Sequence, residues 1–181
     1  MKTYIWWLFS EKTELPLIGK PQQKLLIDGQ QRITTVSILL CALARYISSN
    51  ELENELGSNK IKNYFLLNNE EKGEDRYKLL LTEQDKDTFI YLLEGMEDRI
   101  QEPSIRIREN FNLFQKLISE SNQSVVKIFE GINKLMVVSV ALDKNNDNPQ
   151  LIFESMNSTG KDLSQADLIR NYILMDLTTE D

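Results

Sequence analysis

Apolar positions set the first divisions of this chain. Ile33, Val36, Leu39, Leu40, Leu43 and Ile47 recur at helical spacing, and Lys24-Leu25-Leu26-Ile27 just ahead of them is a short run of the kind that buries as a strand. The pattern predicts a strand over 24–28 and a helix over 29–48, ended by Ser48-Ser49-Asn50. Upstream, Tyr4 to Glu11 reads as a helix, and Pro16, Gly19 and Pro21 mark a loop. Downstream, 51–63 reads as a polar helical segment interrupted by Gly57. The runs 64–67 and 77–81 read as two strands of a hairpin joined by the charged turn 68–76.

The rest of the chain is helical with one exception. Thr82 is placed to cap a helix over 83–94 that Gly95 ends, Pro103 to open a long helix bearing Ile107, Phe111, Phe114, Leu117 and Ile118, and Ser124 to cap a helix over 125–133. The exception is 135–142, rich in β-branched residues, which reads as a central strand. A polar loop over 143–148 follows, then a helix from Pro149 to Met156 and another over 164–178, with Ser164 and Asp167 as a capping box. The expected fold class is α+β: a small mixed sheet made of strand 24–28, the hairpin and strand 135–142, surrounded by many helices. One domain over 1–181 accommodates it, with 83–134 as a candidate helical subdomain.

The strand-to-helix junction carries the densest chemistry. Ile27-Asp28-Gly29-Gln30-Gln31-Arg32-Ile33-Thr34-Thr35 brings a carboxylate, a glycine, two amides, a guanidinium and two hydroxyls to the first turn of a helix. Free backbone N–H groups and the positive end of the macrodipole meet there, which suits an anion, phosphate above all. Asp28 as N-cap and Gln31 as the third helical residue would equally form a capping box. Capping requires neither Gly29 at the first helical position nor Arg32 in the first turn, where the dipole disfavours a cation unless an anion is near. Capping and ligand binding both stand, and they can coexist.

Composition narrows the chemistry further. A net charge of −7 opposes a broad electrostatic DNA-binding surface. Zero histidines exclude a Ser-His-Asp triad, a Cys-His pair, an HNH-type nuclease centre and a His-ligated zinc site within this chain. Carboxylates, amides, hydroxyls, Lys and Arg remain, and these suit phosphate and magnesium. Cys41, alone of its kind and on the apolar helix, reads as a packing residue. No stretch approaches the roughly 20 apolar residues of a membrane span and no secretory signal is recognisable, so a cytoplasmic protein without membrane contact is expected.

A second constellation lies downstream: Phe153-Glu154-Ser155-Met156-Asn157-Ser158-Thr159-Gly160-Lys161-Asp162-Leu163, then Asp167-Leu168-Ile169-Arg170-Asn171. Glu154 and Asn157 share a helix face, as do Asp167, Arg170 and Asn171. Taken alone, Asn157 and Gly160 read as a helix stop and Asp167–Arg170 as a surface ion pair worth about 0.3–0.5 kcal/mol.

Together the two stretches resemble a known family. Residues 27–35 are similar to its DGQQR box, and 153–171 to its F-E-x-x-N-x-x-G-x-x-L and D-L-I-R-N box. That family forms the N-terminal domain of GmrSD-type, modification-dependent restriction enzymes and related phage-defence proteins, and has been likened to the ParB/sulfiredoxin fold. The resemblance runs from about Lys24 to about Leu174. It implies a ParB/sulfiredoxin-like core with a helical insertion. It also implies a regulatory domain that binds or hydrolyses a nucleoside triphosphate with Mg²⁺, on behalf of a nuclease domain or subunit carried elsewhere. By that resemblance Asp28, Gln30, Gln31 and Arg32 are the catalytic candidates, a glutamine orienting water as an amide does in other nucleotide hydrolases. Gly29, Arg32, Thr34, Thr35, Asn157, Gly160 and Arg170 would bind the nucleotide, and Asp28, Glu154 and Asp167 the metal. DNA would be met only through the full-length protein, and a homo-oligomer is compatible with the chain. The alternative reading is a non-catalytic module, sensing DNA modification or serving structure. The family usually carries an upstream Tyr-Gln-Arg box, absent from this sequence. An N-terminally shortened chain with weak or no turnover is expected on that ground.

Overall fold

The computed structural model describes residues 5–12, 24–53, 56–99 and 101–142, with 5–12 and 138–142 described by their backbone alone. Strand β1 spans Ile5–Lys12, β2 Lys24–Asp28 and β3 Met136–Leu142. Helices are α1 Gln30–Ser49, α2 Ser58–Ile61, α3 Glu83–Glu94, α4 Ile105–Glu120 and α5 Val125–Ile132. The chain divides into two compact units, one of residues 1–6 and 30–136, the other of 7–29 and 137–181.

The expected small mixed sheet ringed by helices is corrected by this architecture. The described fold is mostly helical, and among the described side chains the buried hydrophobic residues run from Ile38 to Val125, in the helical unit. Three strands do pair, in the order β2-β1-β3, but two of the expected contributors differ.

The first is β1, expected as a helix. Trp6, Trp7 and Phe9 favour an extended, pleated setting, and an isolated helix this short is marginal in water. Antiparallel pairing with β2 supplies the hydrogen bonds instead, through Phe9↔Asp28, Ser10↔Leu26, Glu11↔Leu25 and Lys12↔Lys24. The register slips between Phe9 and Ser10, which leaves Ile27 without an opposite residue. With β1 in the middle, 135–142 is not the central strand it was expected to be.

The second is the hairpin. Ile61 and Leu66 are both buried, five residues apart, and Lys62–Leu66 forms a π-helical turn that continues α2. Leu67 N–H donates to the Lys62 carbonyl at 2.8 Å to close it. What survives of strand pairing is one antiparallel bridge, Leu67–Tyr77. A strand over 64–67 would send alternate residues to opposite faces. The π turn lets Ile61, Leu66 and Leu67 all reach the core.

α1 is the centre of the helical unit and packs chiefly along α4. The sequence marked one apolar stripe, yet Ser37, Ile38, Cys41, Ala42 and Ala44 are buried beside Leu40, Leu43 and Ile47, so the middle of the helix, 37–44, is buried on nearly every side. Small residues let neighbouring helices approach closely. Gln115 of α4 donates its amide to the Ala42 carbonyl at 2.6 Å. The α1 C-terminus ends where Ser48-Ser49-Asn50 implied, with Glu51 left-handed at φ 57° and Leu52 N–H bonded to the Ile47 carbonyl at 3.0 Å.

Caps decide the other helix ends. Ser104, not Pro103, opens α4: its buried hydroxyl accepts from Ile107 N–H, while its own N–H donates to Thr88 Oγ1 at 2.8 Å. Ser124 caps α5 as expected, accepting from Lys127 N–H. Thr82 holds the cap position of α3 without a side-chain cap bond, and Gly95 ends that helix at φ 76°. Leu117, expected on the core face of α4, is 52% exposed, whereas Ile107, Phe111 and Ile118 are buried. The loop around Pro16 to Pro21, the polar loop 143–148 and the helices expected over 149–156 and 164–178 lie outside the described residues.

Candidate functional site

β2 ends at Asp28 and α1 begins at Gln30, leaving Gly29 as a one-residue connection. Gly29 is buried and left-handed at φ 84°, a conformation that costs any residue with a Cβ about 1–2 kcal/mol. The glycine therefore has a conformational reason to be there. It also shifts the caps: the residue before the helix is Gly29, so Asp28 and Gln31 each stand one place away from the positions a capping box needs.

The first turn of α1 contains no acidic residue. Its early N–H groups have no intrahelical acceptor, and Arg32 adds a fixed positive charge to the positive end of a long helix. Gln30, Gln31 and Thr35 are exposed, while Asp28, Arg32 and Thr34 are half-buried. Thr35 donates its hydroxyl proton to the Gln31 carbonyl at 2.7 Å, so toward a ligand it offers oxygen lone pairs. Asp28, Gln30 and Arg32 are each engaged within the chain.

Among the described residues, no group of three or more Asp, Glu, Cys or His stands where it could hold a metal ion. Of the expected metal ligands only Asp28 falls within the described residues. Glu154, Asn157, Gly160, Asp167 and Arg170 lie outside them.

A residue that the sequence pattern did not single out is Arg45, beside the buried stretch of α1. Its Nη2 donates to the Leu92 carbonyl at 2.7 Å, its Nη1 to Glu97 Oε1 at 2.6 Å, and its guanidinium lies 5.9 Å from the Phe111 ring centroid. Lys62 Nζ donates to the Leu93 carbonyl at 3.0 Å. Two cations thus serve the C-terminal carbonyls of α3, where the dipole is negative. The only sequence signal was a charge at a helix position flanked by buried residues. Beside Arg45, burial pushes the Cys41 thiol up from 9.0 to about 12, against the weaker opposing pull of the Arg45 and Lys62 charges, so it stays protonated and inert.

Comparison with known proteins agrees with the family resemblance. The family model described as the GmrSD restriction endonuclease N-terminal domain matches residues 4–174. No curated protein and no solved structure gives a match.

Proposed function

The chain belongs to the GmrSD restriction endonuclease N-terminal domain family, and from that premise we propose that it binds and hydrolyses a nucleoside triphosphate to regulate a nuclease carried elsewhere. That it is part of a restriction system follows from the family itself. The nucleotide rests on the junction, and one observation carries it: a left-handed glycine leads into a helix whose first turn holds Arg32 and no acid. The N–H groups of that turn and the Arg32 fork take phosphate oxygens, a pairing for which a planar guanidinium is better shaped than an ammonium.

Magnesium fits the donor chemistry, since it is commonly held by one or two carboxylates together with substrate phosphates, and Asp28 supplies a carboxylate at the junction. When bound, the ion neutralises charge on the phosphates. Gln30 and Gln31, both exposed, offer amides that hold and orient a water near the terminal phosphate. Thr34 and Thr35 add hydroxyl oxygens; roles for Glu154, Asn157, Gly160, Asp167 and Arg170 rest on the family resemblance alone.

Titration calorimetry with a nucleoside triphosphate and magnesium tests it. Arg32→Ala is expected to weaken binding by about 1.5–3 kcal/mol, the scale of a charge-assisted hydrogen bond, with the denaturation midpoint little changed. Equal affinity of variant and wild type would remove Arg32 from the phosphates. Absence of binding by the wild-type chain would leave a non-catalytic module.

A further inference from the structure

The π-helical turn after α2 displays aromatic rings. Tyr64 is 67% exposed and Phe65 43%, side by side, and Phe65 meets Phe129 of α5 edge-to-face with ring centroids 5.7 Å apart. Burial does not require this display: Ile61, Leu66 and Leu67 make the segment's core contacts. π turns are rare and recur at functional positions.

The surrounding sequence is locally basic. The chain has 28 acids against 21 basic residues, yet 57–69 contains Lys60 and Lys62 and no acid. Lys60 is exposed one helical turn before Tyr64. Lys78 reaches back onto the turn, its Nζ donating to the Tyr64 carbonyl at 2.7 Å and the Asn63 carbonyl at 3.3 Å. At the start of the segment the Glu53 carboxylate is committed to Ser58, accepting from its N–H at 2.8 Å and from its hydroxyl.

The geometry points to a binding surface for single-stranded nucleic acid, in which Tyr64 and Phe65 stack on bases and Lys60 and Lys78 attend the neighbouring phosphates. Exposed π faces beside cations are what sequence-tolerant single-strand binding uses. A protein partner fits less well, because the cores of such interfaces are depleted in lysine. A duplex fits less well again, because its bases already stack on one another and offer these rings no face. The surface lies within the helical unit.

Fluorescence anisotropy of a labelled deoxythymidine oligomer of about 12 nucleotides, titrated with the full chain without magnesium or triphosphate, tests the proposal. The wild-type chain is expected to bind at low salt, and to lose affinity steeply between about 50 and 200 mM salt. Tyr64→Ala is expected to weaken binding roughly fivefold or more, and Phe65→Ala likewise. Lys60→Glu should weaken it and flatten the salt dependence. Tyr64 is largely in solvent, so its variant keeps the fold, which an unchanged denaturation midpoint verifies; Tyr64→Phe, which retains the π face, should bind as wild type. No binding by the wild-type chain, equal affinity of Tyr64→Ala, or equal preference for a duplex of the same length would overturn the proposal.

Discussion

Both ends of α1 are bounded by left-handed backbone, and the two positions carry opposite kinds of residue. Gly29 at φ 84° adopts it freely; Glu51 at φ 57° does so with a Cβ. Gly29→Ala is expected to lower unfolding free energy by about 1–2 kcal/mol. Glu51→Gly should raise it by up to about 1 kcal/mol, because glycine is the favoured residue where a helix closes in this way. Urea unfolding of the two variants measures both, and like signs would refute the backbone argument. Cys41 gives a prediction in pH. Below pH 9.0 its thiol is neutral folded or unfolded. Above that the unfolded chain ionises while the folded one holds its proton to about 12. Its contribution is therefore complete below pH 9.0 and falls as pH rises toward 12, by about 1.4 kcal/mol per unit. The alkaline arm of a stability profile should be shallower for Cys41→Ala than for wild type, and parallel arms would show that the thiol is not shielded.

At the scale of elements, helix ends are held by side chains from other helices. Arg45 of α1 ties the C-terminus of α3, with its side chain 28% exposed, against 36% for its ion-pair partner Glu97. The buried share of this contact is the bond to the Leu92 carbonyl and the stacking on Phe111. Arg45→Ala is expected to cost about 1.5–3 kcal/mol. Glu97→Gln, which removes only a rim charge, should cost less than about 1 kcal/mol. Denaturant midpoints compare them, and equal losses would show that the ion pair, rather than the carbonyl, holds α3. Element boundaries obeyed caps more faithfully than propensity. Ser104 and Ser124 start α4 and α5 where their hydroxyls accept, whereas β1 and the π turn after α2 went against the local reading because pairing and core contacts offered more.

In the molecule as a whole, the helical unit depends on a core centred on α1, where Leu43 and Ile47 are fully enclosed. Leu43→Ala is expected to cost about 2.7–5 kcal/mol, a large part of the stability of a typical domain. Hydrogen exchange should then show α1 and α4 losing protection together, and loss confined to α1 would mean that they do not unfold as one. The sequence by itself determined the strand-to-helix junction over 24–49, the capped start of α5, the identity of the family, and the placing of Asp28, Gln30, Gln31 and Arg32 at a helix start. These follow from local periodicity, hydroxyl and glycine chemistry, and contiguous motifs, which need no knowledge of distant neighbours. Tertiary structure alone decided that Ile5–Lys12 is a strand in the middle of the sheet, that the expected hairpin is a π turn with one bridge, and that Arg45 serves α3. It also decided that Gly29, left-handed, stands between Asp28 and the first residue of α1. Each of these depends on a partner far along the chain or on one residue of register, and neither is written in local spacing.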